Sequence, residues 1–389
     1  MSVKWVFVSK LKGGVHVQHS FELLKIIEFA LKKDTNKIVG YATMLQNKLE
    51  NEGNNKLAVK IEKLLNSNTV GTIEAKSSNS LNLPFDQESN MQIGEFYNPD
   101  GQLEKVVLNK ELHENIEKFL KYYEKRESLY LEGINHPNTI LMYGPPGCGK
   151  TLLAKTLSQK LDLPMVIIRL DSIISSFLGS TAKNIRKIFD YAKNNPCILF
   201  FDEFDAIAKV RDDQHELGEL KRVVNSLLQN IDMLNNDSIL IAASNHEHLL
   251  DPALWRRFQL KLEIGKPDFN SRVTIIENNL SQLNKSEVEI LAYIFQGLSP
   301  AAINNICTYV KRDSIVFDND VNLTDIITVF FSSSLTTDHD NNVATQNFTF
   351  EDKVLYIREI NSKFFTYELL GEIFQISKSK VARILNRKE

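Results

Sequence analysis

Two short strings hold the residues best able to do chemistry. GPPGCGKT, residues 144–151, sets three glycines beside a lysine and a hydroxyl, and ILFFDEFDAI, residues 198–207, ends an apolar run in two adjacent carboxylates. Gly144, Gly147 and Gly149 let backbone N–H groups turn inward around an anion without Cβ clashes, and a helix beginning near Lys150 points its positive end at the same place. Lys150 is then placed to reach the β and γ phosphates of a nucleotide, and Thr151 to hold Mg²⁺ through its hydroxyl. Pro145, Pro146, Cys148 and Leu152 complete the phosphate-binding run. Asp202 would hold the Mg²⁺ shell, while Glu203 would orient and polarise an attacking water. Asp205 reads as a solvated loop acid.

Two further strings add to these. In IAASNH an apolar strand ends at Asn245, a neutral amide able to hydrogen-bond a γ-phosphate or the water. In DPALWRRF, residues 251–258, Arg256 and Arg257 sit too far along the chain to join their own loop easily. An arginine supplied by a neighbouring subunit can stabilise charge on a transferring phosphoryl group.

Such groups need a frame. The 389 residues, 43% hydrophobic, favour two or three units. Strand-like and helix-like segments alternate from residue 104 to about residue 266, which argues for an α/β parallel sheet flanked by helices. Its expected strands are short apolar runs at Val106–Leu108, Thr139–Tyr143, Met165–Leu170, Ile198–Phe201, Ile239–Ala243 and Leu260–Ile264. Before it, Val3, Trp5 and Phe7 alternate as a short strand would. Apolar stripes at Phe21, Leu24 and Ile27, then Ile38, Ala42, Leu45 and Leu49, then Leu57, Ile61, Leu64 and Leu65 predict a small helical bundle, with Asp34 and Asn54 as caps. The expected division is a helical N-terminal domain at 1–66, a linker at 67–100, the α/β nucleotide-binding subdomain at 101–266, a helical lid at 267–335 and a C-terminal helical unit at 336–389.

In that last unit, Tyr367, Leu370, Ile373, Ile376, Val381, Ile384 and Leu385 predict two short helices around a tight turn, a pattern resembling a helix-turn-helix. Ser377 or Ser379 is placed to cap the second, which would present Lys378, Lys380, Arg383, Arg387 and Lys388 as a candidate DNA contact. Gln375 stands where the turn often has glycine. A net charge of -3 gives no global pull toward nucleic acid. Cys148, Cys197 and Cys307 lack metal-ligand spacing. No stretch approaches the ~20 apolar residues that span a bilayer, and the N-terminus lacks the core of a signal peptide, so a cytoplasmic protein is expected.

In order, GPPGCGKT, FFDEFDAI, SNH and DPALWRRF resemble AAA+ ATPases, specifically the AAA branch of ring-forming protein remodellers, over roughly residues 104–330. The resemblance implies a Walker A loop at Gly144–Thr151, Walker B at Asp202 and Glu203, sensor 1 at Asn245, arginine fingers at Arg256 and Arg257, and a hexameric ring that binds ATP and Mg²⁺ between subunits. It also implies a substrate-gripping pore loop, where SSFLGS places Phe177, Leu178 and Gly179. The lid stretch GLSPAAI keeps Gly297 and Ser299 but has Ala302 where the family has an acid, and the Pro-Gly usual between the two arginines is missing. Within the branch, the small helical N-terminal unit with the strings RLDSIISSFLGSTAKNIRKIFDYA and FFDEFDAIAKVRDDQHELGELKRVVNSLLQ looks like bacterial ATPases encoded beside subtilisin-like serine proteases in anti-phage or anti-plasmid defence, which implies a protein substrate or protease partner. Two rival functions remain: a DNA-associated switch or loader working through the tail helices, and a nucleotide-gated scaffold without turnover.

Overall fold

The computed structural model describes residues 19–31, 35–67, 83–84, 92–99, 105–170, 178–209, 217–332 and 348–386. Among the described residues three helices come first, α1 (Ser20–Leu31), α2 (Thr35–Asn51) and α3 (Asn55–Ser67). After β1 (Glu95–Tyr97), α4 (Lys110–Glu124) and α5 (Arg126–Leu131), strands and helices alternate. These are β2 (Thr139–Tyr143), α6 (Lys150–Leu161), β3 (Met165–Arg169), α7 (Leu178–Asn194), β4 (Ile198–Asp202), the short α8 (Ala206–Lys209), α9 (Leu217–Asp232), β5 (Ile239–Ser244), α10 (Pro252–Trp255) and β6 (Leu260–Glu263). Thereafter the described residues form α11 (Phe269–Asn279), α12 (Lys285–Ile294), α13 (Pro300–Phe317), α14 (Leu323–Ser332), α15 (Phe350–Ile360), α16 (Tyr367–Ile373) and α17 (Lys378–Leu385).

The six strands lie in the order β1-β3-β4-β5-β2-β6, with β1 antiparallel on the edge and the rest parallel. Successive strand residues face opposite sides. Ile140, Met142, Ile198, Phe200, Ile239 and Ile241 pack with Leu112, Ile116, Leu153 and Leu157 of α4 and α6. Leu141, Leu199, Phe201, Leu240 and Ala242 pack with Ile185, Phe189, Val223 and Leu227 of α7 and α9. With helices on both faces, each strand is apolar throughout rather than alternating, which is why the runs were legible. The order seats β4, β5 and β2 side by side, so the loops leaving their carboxyl ends converge, as ligand-binding loops of open α/β sheets do.

Two strand expectations need correction. Residues 105–109 form no strand; Val107 packs instead against the apolar core of the later helices. Conversely β1, in the stretch read as linker, pairs Phe96 with Val166 of β3. The N-terminal bundle forms, but α1 does not bury its expected stripe: Leu24 and Ile27 are exposed, while Glu22, Lys25 and Phe29 are buried. Glu22 accepts from Lys48 Nζ at 2.7 Å and from Arg126 at 3.5 Å, and Lys25 pairs with Asp237 at 3.6 Å. The bundle is thus docked on the core by charge. Leu57 and Leu64 of the third stripe are likewise exposed, and Ala58 of α3 is buried instead. Asn54 offers its carbonyl to the N–H groups of Leu57 and Ala58, whereas Val3, Trp5, Phe7 and Asp34 lie outside the described residues.

From Ile275 to Ile384, helices α11–α17 share a single apolar cluster. Side-chain caps at Asp268, Asn284, Ser299, Thr349, Thr366 and Ser377 open six of them. The turn between α16 and α17 places Gln375 in the left-handed region (φ 52°), where glycine would be unstrained. No described helix is long and apolar enough to cross a membrane.

Candidate active site at the carboxyl edge of the sheet

Residues 144–149 leave β2 and wrap back into α6. Gly144 has φ 134°, and a Cβ there would lie 2.4 Å from the carbonyl oxygen of Ile264 at the end of β6, so only glycine fits. Gly149, at φ 96°, occupies the cap position of α6 with no side-chain cap. The first N–H groups of α6 are therefore left for an anion, in contrast to the side-chain-capped helices named above. Lys150 is buried, and its ammonium donates to the carbonyls of Gly144 at 2.7 Å and Pro145 at 2.8 Å across the loop mouth. Burial lowers its pKa, and the nearby Cys148, Asp202, Asp205 and Glu247 oppose that shift.

Thr151 opens α6 beside Lys150, and its hydroxyl donates to Asp202 Oδ2 at 3.2 Å. The other oxygen of Asp202 accepts from the backbone N–H of Glu203 at 3.0 Å. Among the described residues no group of three or more His, Cys, Asp or Glu could hold a metal. One hydroxyl and one carboxylate, with the remaining positions left to water and phosphate oxygens, suit Mg²⁺ and would not suit an all-protein cage. The site therefore fits a magnesium nucleotide. Glu203 itself is exposed and has φ 52°, a strained conformation for a side-chain-bearing residue.

Asp205 corrects the expectation of a solvated acid. It is 1% exposed, and its Oδ1 accepts from the Ser244 hydroxyl at 3.1 Å and from the backbone N–H of Asn245 at 3.2 Å. The strings DEFD and SNH carried that signal jointly, but neither showed it alone.

The structure brings Gly144–Leu152, Asp202, Glu203 and Asn245 to the one edge formed by β2, β4 and β5. Arg256 and Arg257 follow α10 on the surface. Arg257 is bound to Asp232 at 2.8 Å, whereas Arg256 makes no ion pair among the described residues. Phe177 lies outside the described residues and Leu178 opens α7. In the tail, Ser377 is the cap, Lys378 is paired with Glu368, Lys380 sits 5.5 Å from the centroid of the Phe350 ring, and Arg383 is exposed; Arg387 and Lys388 lie outside the described residues.

A family model described as ATPase family associated with various cellular activities (AAA) matches residues 140–266, the span from β2 to just past β6. Over 273 residues the chain is 38% identical to an uncharacterized AAA family ATPase, y4kL, of Sinorhizobium fredii, covering 69% of this chain and 81% of that one. The chain belongs to the AAA family of ATPases. It is an ATP-hydrolysing enzyme, and its mixed α/β core with a mostly parallel sheet is the P-loop core of that family. This AAA ATPase is also similar to proteins named proteasome-activating nucleotidase. One from Methanopyrus kandleri is 32% identical over 271 residues, 66% of this chain and 60% of that protein. Another, from Thermococcus kodakarensis, is 36% identical over 221 residues, 54% of each chain. The AAA ATPase thus spans between half and two thirds of the length of those two relatives.

Helix α13 meets the phosphate loop directly. Ala301 N–H in the first turn of α13 donates to the carbonyl of Gly147 at 3.1 Å, and a Cβ on Gly147 would come within 3.0 Å of Ser299 Oγ. Ser299 and Ala302, singled out in the sequence, cap and open this helix; Ser299 Oγ accepts from Ala302 N.

Proposed function

We propose that this AAA ATPase is a Mg²⁺-dependent ring motor, hexameric and cytoplasmic, that uses hydrolysis to pull on or remodel a protein substrate. The observation that carries the site is the 3.2 Å bond between Thr151 and Asp202, which puts a hydroxyl and a carboxylate where one cation can be shared with phosphate oxygens gathered by the loop. In this reading Gly144–Thr151 and Leu152 bind the nucleotide, Lys150 supplies the point charge on its terminal phosphates, and Thr151 and Asp202 hold Mg²⁺. When bound, the metal neutralises charge on the phosphates. Glu203 orients the attacking water and takes its proton, and Asn245 hydrogen-bonds the water or the γ-phosphate. Arg256, exposed and without an ion pair among the described residues, is the arginine offered to the neighbouring subunit.

Protein remodelling is supported by the relatives named proteasome-activating nucleotidase. Phe177 and Leu178 are the proposed pore contacts, and a serine protease in a bacterial defence pair is the proposed partner. In this reading the chain divides into N-terminal helices, α/β core, lid and tail, and lid and tail act as one body because they share a core. The test is a pull-down of the Glu203→Gln form with ATP, which should retain a protein that the Lys150→Ala form releases. Equal capture by both forms removes the ATP-gated remodeller reading, and capture of DNA alone favours the switch or loader.

A further inference from the structure

We propose that Asp205 is a positioning residue which sets Glu203 against Asn245 by joining the tip of β4 to the tip of β5. The inference deepens the functional reading and rests on Glu203 and Asn245 acting on the attacking water. The register between β4 and β5 runs only from Ile198–Ile239 to Phe201–Ala242. Glu203 and Asn245 both lie beyond it, so ladder bonds do not fix their separation. Two other contacts do. Phe204 N–H donates to the carbonyl of Ala243 at 2.8 Å, and Asp205 Oδ1 receives both the Ser244 hydroxyl and the Asn245 N–H. Ser244 Oγ in turn accepts from His246 N–H at 3.1 Å, so one buried carboxylate organises the chain on each side of Asn245.

A carboxylate 1% exposed is costly to keep, and here it satisfies a hydroxyl and a backbone amide at the same oxygen. Glu203 meanwhile sits at φ 52°, a conformation that persists only where neighbours over-determine it. Those neighbours are the Phe204–Ala243 bond before Asp205 and the Ala206 N–H to Glu203 carbonyl bond, 2.8 Å, after it. These backbone bonds flank Asp205, whose carboxylate then ties the turn to Ser244 and to the amide of Asn245.

Steady-state ATP hydrolysis by the full chain tests this. Asp205→Ala should lower kcat by about 10²-fold, the scale of a 1 Å misplacement, while KM for ATP changes by less than about threefold. Asp205→Asn keeps the Oδ1 acceptor and should recover part of the rate. Ser244→Ala, a smaller change that secures the test if Asp205→Ala does not fold, should lower kcat alone but add no further loss to Asn245→Ala. Asn138→Ala is the control, because Asn138 is also buried and ties the opposite end of β5 to the start of β2, donating to the carbonyls of Asn235 and Ser238. It should lower Tm and leave kcat unchanged. Wild-type turnover in Asp205→Ala, additive losses in the Ser244/Asn245 pair, or an equal loss of kcat in Asn138→Ala would overturn the inference. If Glu203→Gln hydrolyses normally, the reading of the site fails; if Glu203→Gln is dead but Asp205→Ala is active, only this inference does.

Discussion

Arg257 is bound to Asp232 of its own chain at 2.8 Å, and that bond separates it from the adjacent Arg256. The pair is nearly half exposed on each side, so it contributes only about 0.5 kcal/mol to stability. Its effect is directional: it ties Arg257 to its own α9 and leaves Arg256 as the arginine of the pair proposed to reach a neighbour. Arg256→Ala should depress turnover of the assembled enzyme by about 10³-fold, and Arg257→Ala much less. Mixing Arg256→Ala with Lys150→Ala subunits should restore part of the activity, because each supplies what the other lacks. Without that rescue, the arginine does not act across a subunit boundary.

Lys150→Ala removes the ammonium that now bridges the carbonyls of Gly144 and Pro145. A charge-assisted bond is worth about 1.5–3 kcal/mol, so affinity for ATP should fall roughly 10- to 100-fold. Fluorescent-nucleotide titration measures it, and an unchanged Kd would remove Lys150 from the site.

Glu203→Gln keeps the shape of the side chain and loses its basicity. Nucleotide binding should persist, while turnover drops by about 10²–10⁴-fold. Single-turnover hydrolysis separates the two, and retained chemistry would assign the base elsewhere.

Acid should loosen the seam between the N-terminal helices and the core. His136 is buried, 5.5 Å from the Tyr123 ring, with Nε2 lacking a partner among the described residues, and burial lowers its pKa to about 4. As pH falls from about 6.5 to 4, the unfolded chain takes up a proton that the folded chain refuses, so stability drops, by up to about 3 kcal/mol. Glu22 acts in the same direction. Burial alone would raise its pKa, but the Lys48 hydrogen bond and the charges of Lys48 and Arg126 bring it below the usual carboxylate value. Its stabilisation is present above that usual value and is lost as pH falls through the folded pKa. Melting curves between pH 7 and pH 4 should therefore slope downward, and His136→Phe should flatten the upper part of that slope. An unchanged slope would show that His136 is not the group titrating.

The sheet was legible because burial on both faces makes a parallel strand a plain apolar run bounded by turn residues; β2 begins and ends where TILMY does. The phosphate loop was legible for a different reason, since Gly144 and Gly149 stand where backbone geometry tolerates little else. Three features escaped because their causes lie far along the chain. β1 has only three residues, and its pairing with β3 is a matter of backbone bonds that leave no side-chain period. The buried face of α1 is partly charged, because Lys48, Arg126 and Asp237 wait for Glu22 and Lys25. Asp205 looked like one more loop acid until Ser244 and Asn245 folded against it.

The bond from Ala301 to Gly147 gives the shared core of α11–α17 a mechanical meaning. A block whose helices interlock through one set of side chains has no internal slip plane, so it transmits torque instead of absorbing it. A displacement of the phosphate loop that keeps this bond would pull on α13, and through the shared core on α17. The phosphate loop and the tail helices are thus two ends of one packed body, joined through α13.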